Sequence, residues 1–122
     1  MIDEDAFTFP TPPIICPRRL AGDAGWRGAV HVLNSDLLLA KGVAQFVDLE
    51  RGSIYFDKLL RAARPWSSGE RLLVEVAASL FNNDQKINLW RLVGVLDNEN
   101  IAIVVEAIRI SAGLDPALWE ER

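Results

Sequence analysis

The segment WSSGERLLVEVAASLF, residues 66–81, decides the fold class. Its start, Ser67-Ser68-Gly69-Glu70, fits the capping box, in which a serine hydroxyl and a glutamate carboxylate each accept a hydrogen bond from the other residue's backbone N–H. The apolar residues that follow recur with the period of a helix: Leu72, Leu73, Val76, Ala77, Leu80 and Phe81. This segment therefore predicts an amphipathic helix that buries one face in a core.

Two further helices are predicted on its C-terminal side. Residues 88–96 place four apolar residues on one helical face: Leu89, Leu92, Val93 and Leu96. Residues 98–112 follow, with Asp97 as N-cap and Gly113 as the residue that ends the helix. The stretch IAIVVEAIRI at 101–110 is rich in β-branched residues and would also suit a buried strand. We predict a helix because no second strong strand is available to pair with it.

The predicted 98–112 helix is markedly apolar, since Glu106 and Arg109 are the only charged residues in its last three turns. A helix that is apolar all round is normally surrounded by protein. It is therefore expected to be either the central helix of the bundle or half of an interface between subunits.

The N-terminal half carries weaker signals. Ser35 as N-cap and Gly52 as the terminating residue predict a helix over 36–51, and Ser53 and Pro65 bound a second one. Residues 21–34 are left open, because AVHVL at 29–33 alternates weakly like a strand while three glycines before it weaken any helix.

Residues 1–22 are proline-rich and show no helical period, which predicts an extended N-terminal arm ahead of a helical domain over 23–122. Four bulky apolar residues of the arm need cover from this domain or from a neighbouring copy: Phe7, Phe9, Ile14 and Ile15. A final short helix is predicted from Asp115-Pro116, carrying Trp119. The elements add up to an all-α, single-domain bundle of five or six helices, which suits 122 residues.

Composition argues against several functional classes. The net charge is −4 and no extended basic patch is evident, so no nucleic-acid partner is predicted. No apolar run reaches the length of a membrane span and the acidic N-terminal segment is unlike a secretory signal, so we predict no membrane partner and a cytoplasmic location. A single cysteine, Cys16, and a single histidine, His31, leave no metal site and no cofactor predicted.

No residue is predicted to be catalytic. His31 lies among apolar neighbours without a recognisable partner, and no spacing of the carboxylates demonstrates a facing pair. The polar stretch between the helices at 66–81 and 88–96 invites comparison with a calcium-binding loop, but Arg91 stands where calcium needs a carboxylate.

The predicted function is therefore a non-enzymatic protein-interaction or assembly module that self-associates. Two alternatives stay open: a small carboxylate-dependent enzyme or small-ligand-binding helical protein, and a helix-turn-helix regulator built on 88–96 and 98–112. The interface candidates are the bulky apolar residues of the arm and of the last helices: Phe7, Phe9, Ile14, Ile15, Ile101, Val104, Val105, Ile108 and Trp119.

Overall fold

The computed structural model describes residues 13–82 and 85–114 of the chain. In this part of the chain six helices and one short β-hairpin are formed, and the prediction of an all-α bundle of five or six helices is confirmed. The helices are α1 (Ala24–Leu33), α2 (Asp36–Leu39), α3 (Phe56–Ala62), α4 (Ser68–Phe81), α5 (Leu89–Val95) and α6 (Asn98–Ser111), and the strands are β1 (Val47–Asp48) and β2 (Ser53–Ile54). The predicted helix at Asp115-Pro116 lies outside the described residues.

Helix α1 is the centre of the bundle, because it packs against both α4 and α6. It begins at Asp23, whose side chain accepts a hydrogen bond from the backbone N–H of Trp26 at 3.0 Å. Trp26 is only 1% exposed and fills the core beneath this first turn. The open choice between strand and helix for residues 21–34 is thus decided in favour of a helix.

Close approach of α6 to α1 explains one of the glycines that weakened the helix prediction. A β-carbon on Gly28 would overlap the Ser111 hydroxyl and lie 2.9 Å from the carbonyl oxygen of Ala107. Both of those residues belong to α6, so the absence of a side chain at Gly28 lets the two helices touch through their backbones. The local cost in helix propensity is offset by this tertiary contact.

Helix α4 forms as its sequence predicts. The Ser67 backbone N–H donates to Glu70 Oε1 at 3.0 Å, and the Glu70 N–H donates to Ser67 Oγ at 3.2 Å, so both halves of the capping box are present. Leu72 and Leu73 are fully buried, and Phe81 meets Phe56 of α3 with ring centroids 5.4 Å apart. Helix α4 is therefore fixed against both α1 and α3.

The predicted helix over 36–51 is wrong for most of its length. Ser35 does cap a helix, accepting from the Leu38 N–H, but α2 ends after one turn at Leu39. Glycine in the left-handed region, Gly42 at φ 81°, then redirects the chain into a 3₁₀ turn over Val43–Phe46. Gly52 is also left-handed, but it serves the turn of a hairpin and not the end of a helix.

Short-range hydrogen bonds explain why the hairpin replaces the predicted helix. Val47 pairs with Ile54 and Asp48 with Ser53 in antiparallel register, so Ser53 lies in a strand and does not cap α3. Asp48 accepts from the Arg51 N–H and from the Tyr55 hydroxyl, both at 3.2 Å. These donors lower the pKa of Asp48, with the Arg51 N–H acting most strongly. An aspartate that bonds to the backbone of its own turn competes with helix formation.

The described end of the predicted arm is bound to the bundle at Ile14 and through Arg19, whose guanidinium donates to the carbonyls of Leu49 and Glu50, and it is not extended throughout, because Arg18–Leu20 form a 3₁₀ turn. The Ile14 N–H donates to Asn34 Oδ1 at 2.6 Å, and the Ile14 carbonyl accepts from Asn34 Nδ2 at 3.0 Å. Asn34 is the C-cap of α1, so this pair of bonds holds Ile14 at the junction between α1 and α2, with its side chain in the core. Ile15, the next residue, is exposed.

Helix α6 is a peripheral helix. Val104 and Ala107 are buried against α1, while the opposite side of α6 faces outward. The stretch rich in β-branched residues is thus a helix. Because it is buried on one side only, it is not the central helix of the bundle, which was one of the two alternatives predicted. Across the described ranges, no helix is both long and apolar enough to cross a membrane.

Candidate functional site

An exposed apolar stripe runs along the outer side of α6. Four of its residues recur at i, i+4, i+7 and i+11, which is the spacing of a coiled-coil contact line: Ile101, Val105, Ile108 and Ala112. Val105 is 43% exposed and Ile108 is 50% exposed, whereas Ile101 is partly covered. We call these four residues the α6 stripe. Because they share one line, a second helix could cover all of them together.

A second apolar surface lies on α5. Leu89 is 70% exposed, Trp90 84% and Val93 65%, and their positions place them side by side on the outer face of the helix. Leu92 and Leu96 are buried on the other face. The sequence analysis placed Leu89 and Val93 on the same face as Leu92 and Leu96, and this prediction is wrong. We call Leu89, Trp90 and Val93 the α5 knob.

The orientation of the α5 knob is set by contacts in the first half of the short helix. The Asn88 side chain caps α5 by accepting from the N–H groups of Trp90 and Arg91. Arg91 forms an ion pair of 2.9 Å with Glu75 of α4. Helix α5 has seven residues and cannot bury all of its apolar side chains on one face. Because Arg91 is held toward α4, the neighbouring Trp90 points away from the bundle. In the sequence, the exposure of Trp90 was indicated only by its position close after Asn88, the capping residue of α5.

An open groove of about 510 Å³ lies between the starts of α2 and α6. Its apolar wall is formed by Leu37, Ala102 and Ile103, and its polar rim carries three carboxylates: Asp36, Asp97 and Glu99. No basic side chain lines it among the described residues. Asp97 caps α6 by accepting from the Asn100 N–H at 2.9 Å, and Asp36 and Glu99 lie in first turns of helices, where an acid is favoured. We call this cavity the α2/α6 groove.

The structure separates the predicted interface residues into three groups. Ile14 and Val104 are buried within this chain, so its own core covers them. Ile15, Ile101, Val105 and Ile108 keep part or most of their surface accessible, and the last three belong to the α6 stripe. Phe7, Phe9 and Trp119 lie outside the described residues.

His31 lies half-buried on α1. Burial lowers the pKa of His31 below its ordinary value, and Glu106 of α6 opposes this by favouring the protonated form. Burial has the larger effect, so the neutral imidazole is favoured in the folded protein. His31 is suited to a structural role at the contact of α1 with α6.

The lowered pKa of His31 predicts that the protein loses stability in mild acid. Because the folded state binds this proton less tightly than the unfolded chain, the contribution is fully present above the ordinary pKa of 6.5 and is lost as pH falls through the lowered folded pKa. We expect urea unfolding between about pH 7.5 and 5 to show a falling midpoint, and His31→Gln to flatten that fall. An unchanged slope in His31→Gln would assign the acid sensitivity to the carboxylates.

The described residues contain no group of three or more His, Cys, Asp or Glu side chains placed to hold a metal ion. Cys16 is exposed. Its Sγ lies 3.4 Å from the carbonyl oxygen of Pro17.

Comparison with protein-family models, with curated proteins and with solved structures finds no match to this chain.

Proposed function

We propose that the protein is a non-enzymatic assembly module that self-associates through the α6 stripe. The observation that carries the proposal is the partial burial of α6: Val104 and Ala107 pack on α1, while Val105 and Ile108, which lie beside this contact on the helix surface, stay about half exposed. The single cysteine leaves no disulfide within the chain, which favours a cytoplasmic setting for such a module.

The arrangement of the exposed residues supports a helix as the partner surface. Scattered exposed aliphatic residues are common on monomeric proteins, but a line with alternating spacings of four and three residues is the pattern that a second helix covers. Two copies of α6 could pair about a two-fold axis, in which case each copy would supply the same surface. Fourteen residues make two heptads, so the pairing would be modest in strength.

The two alternative functions have less support. A carboxylate-dependent enzyme or a small-ligand-binding protein would use the α2/α6 groove, yet its three acids already serve helix starts and Asp97 is engaged as a cap. A helix-turn-helix regulator would present basic or amide side chains on α6. Helix α6 offers only Asn98, Asn100 and Arg109 for this role, it also carries the acids Glu99 and Glu106, and Arg109 is paired with Glu106.

We expect Ile108→Asp to weaken self-association at least about tenfold, because a carboxylate buried in an apolar contact loses its hydration without gaining a partner. Sedimentation velocity over a concentration series measures this change. The matched control is Leu49→Asp, which places the same charge at an exposed leucine in the hairpin turn. A wild-type chain that stays monomeric at high micromolar concentration, or an Ile108→Asp chain that associates like the control, would refute the proposed function.

A further inference from the structure

We propose that the α5 knob of one copy docks in the α2/α6 groove of a second copy, which extends the assembly beyond a pair. This inference rests on the proposed function, since it adds a second contact to a self-associating chain. Knob and groove are both present on every chain, so each copy could donate one contact and accept another.

Trp90 has the chemistry of an interface anchor. It is the most exposed large apolar side chain in the described part of the molecule, at 84%. Tryptophan is enriched among the residues that dominate binding energy, and such residues fill pockets on the partner. Leu89 and Val93 flank it on the same face and enlarge the apolar area that a partner would cover.

The α2/α6 groove fits an indole in size and chemistry. Its volume of about 510 Å³ exceeds what one tryptophan side chain needs and falls within the usual range for binding pockets. Leu37, Ala102 and Ile103 would contact the ring, and the carboxylates of the rim could accept a hydrogen bond from the indole N–H, which can only donate.

Electrostatic complementarity favours the segment around α5 as the occupant of the α2/α6 groove. Residues 85–96 contain Lys86 and Arg91 and no acid, whereas the groove contains three acids and no base. Because Arg91 is paired with Glu75 of α4, Lys86 is the base of this segment that can face the groove. A chain with a net charge of −4 would be repelled from this groove over much of its surface. The positive charge of Lys86, near the knob, and the negative charge of the groove make this contact favourable.

Two other basic groups of the described chain are already engaged. Arg19 is already occupied, because its guanidinium donates to the carbonyls of Leu49 and Glu50. On α3, Lys58 lies over the ring of Tyr55 at 5.6 Å, and the Tyr55 hydroxyl is bonded to Asp48. Ile15 is 68% exposed and lies near Arg18 in the sequence, but it is a single aliphatic side chain. The α5 segment combines positive charge with an exposed tryptophan and two exposed aliphatic neighbours.

The occupant comes from another copy and not from the same chain. Trp90 is 84% exposed, so it does not fill the groove of its own chain, although α5 leads directly into the α6 wall of that groove through Leu96 and Asp97. The groove residue Ile103 and the stripe residue Val105 are two positions apart on α6, which places them on roughly opposite sides of the helix. Ala102, which also lines the groove, lies one turn from Val105, so a copy paired on the stripe leaves the Leu37 and Ile103 side of the groove open for a further copy.

The test measures mass in solution for a wild-type chain and for Trp90→Ala. We expect the wild-type chain to exceed the mass of a dimer at high micromolar concentration and Trp90→Ala to stop at the dimer, with its melting temperature unchanged. Trp90→Phe keeps an aromatic ring and is expected to retain part of the larger assembly. A Trp90→Ala chain that assembles like the wild type would overturn the inference and leave the proposed function standing, because Ile108→Asp tests that function separately.

A charge exchange tests direct contact between knob and groove. Lys86→Glu and Glu99→Lys should each weaken the larger assembly, because each places two like charges at the contact. An equimolar mixture of the two variants should restore it, since the acidic knob of the first variant then meets the basic groove of the second, while the unaltered knob meets the unaltered groove. Higher salt should weaken the wild-type contact. A mixture that assembles no better than either variant alone would refute the contact.

Discussion

Replacing Trp26 with alanine is expected to lower the free energy of unfolding by about 3–5 kcal/mol, because the substitution removes a large buried side chain and leaves a cavity. Trp26 is 1% exposed in the first turn of α1, the helix on which both α4 and α6 pack. Collapse of the surroundings would require α4 or α6 to move, so little of the cavity can be refilled. Urea unfolding followed by circular dichroism measures the loss without depending on tryptophan fluorescence.

Two control substitutions separate the effect of the cavity from other effects. Trp90→Ala makes the same change at an exposed position and should alter stability by less than about 0.5 kcal/mol. Trp26→Phe keeps a ring and removes the indole N–H, which has no hydrogen-bond partner among the described residues, so it should cost clearly less than alanine. Equal losses in Trp26→Ala and Trp90→Ala would contradict the central position of Trp26.

Gly28→Ala is expected to destabilise the protein by about 1–3 kcal/mol, although alanine is the better helix former by about 1 kcal/mol. The new methyl group would overlap the Ser111 hydroxyl and lie 2.9 Å from the Ala107 carbonyl oxygen, so α6 would have to move away from α1. Urea unfolding shows whether Gly28→Ala lowers or raises the free energy of unfolding. Adding Ser111→Ala should recover part of the loss, because it removes the hydroxyl but not the backbone contact.

Gly94 provides the matched control for Gly28. It lies in α5, and a β-carbon there would meet no atom within 4 Å. Gly94→Ala should therefore stabilise the protein by up to about 1 kcal/mol through helix propensity alone. If both alanine variants were stabilised, the close contact between α1 and α6 would be disproved.

The parts of the fold that follow local rules were predictable from the sequence. The capping box at Ser67 and Glu70 and the cap at Asp97 depend on neighbouring residues only, and both form as predicted. Helix α1 could not be predicted, because Gly28 looks unfavourable until Ala107 and Ser111 of a distant helix are placed beside it. The hairpin was missed because the predicted helix over 36–51 rested on Ser35 and Gly52, whereas the side chain of Asp48 bonds to Arg51 and Tyr55 within the turn.

The candidate site was predictable only in part. Ile101, Val105 and Ile108 were identified from the apolar character of α6, but the sequence could not separate them from Val104, which faces α1. Trp90 was missed because the rotation of α5 depends on the ion pair between Arg91 and Glu75, a contact between residues sixteen positions apart on different helices. The groove is formed by the starts of α2 and α6, and no local pattern links these two segments.

The central position of α1 has a consequence for synthesis of the chain. Translation proceeds from the N-terminus, so α1 is made before either of the helices that cover it, and α6, which Gly28 contacts, is made last among the described helices. At roughly 5–20 residues per second, α1 waits on the order of 4–16 s for α6. During that interval the side of α1 that α6 covers is open to chaperones and proteases. The nascent chain cannot complete its core until residues 98–111 have left the ribosome.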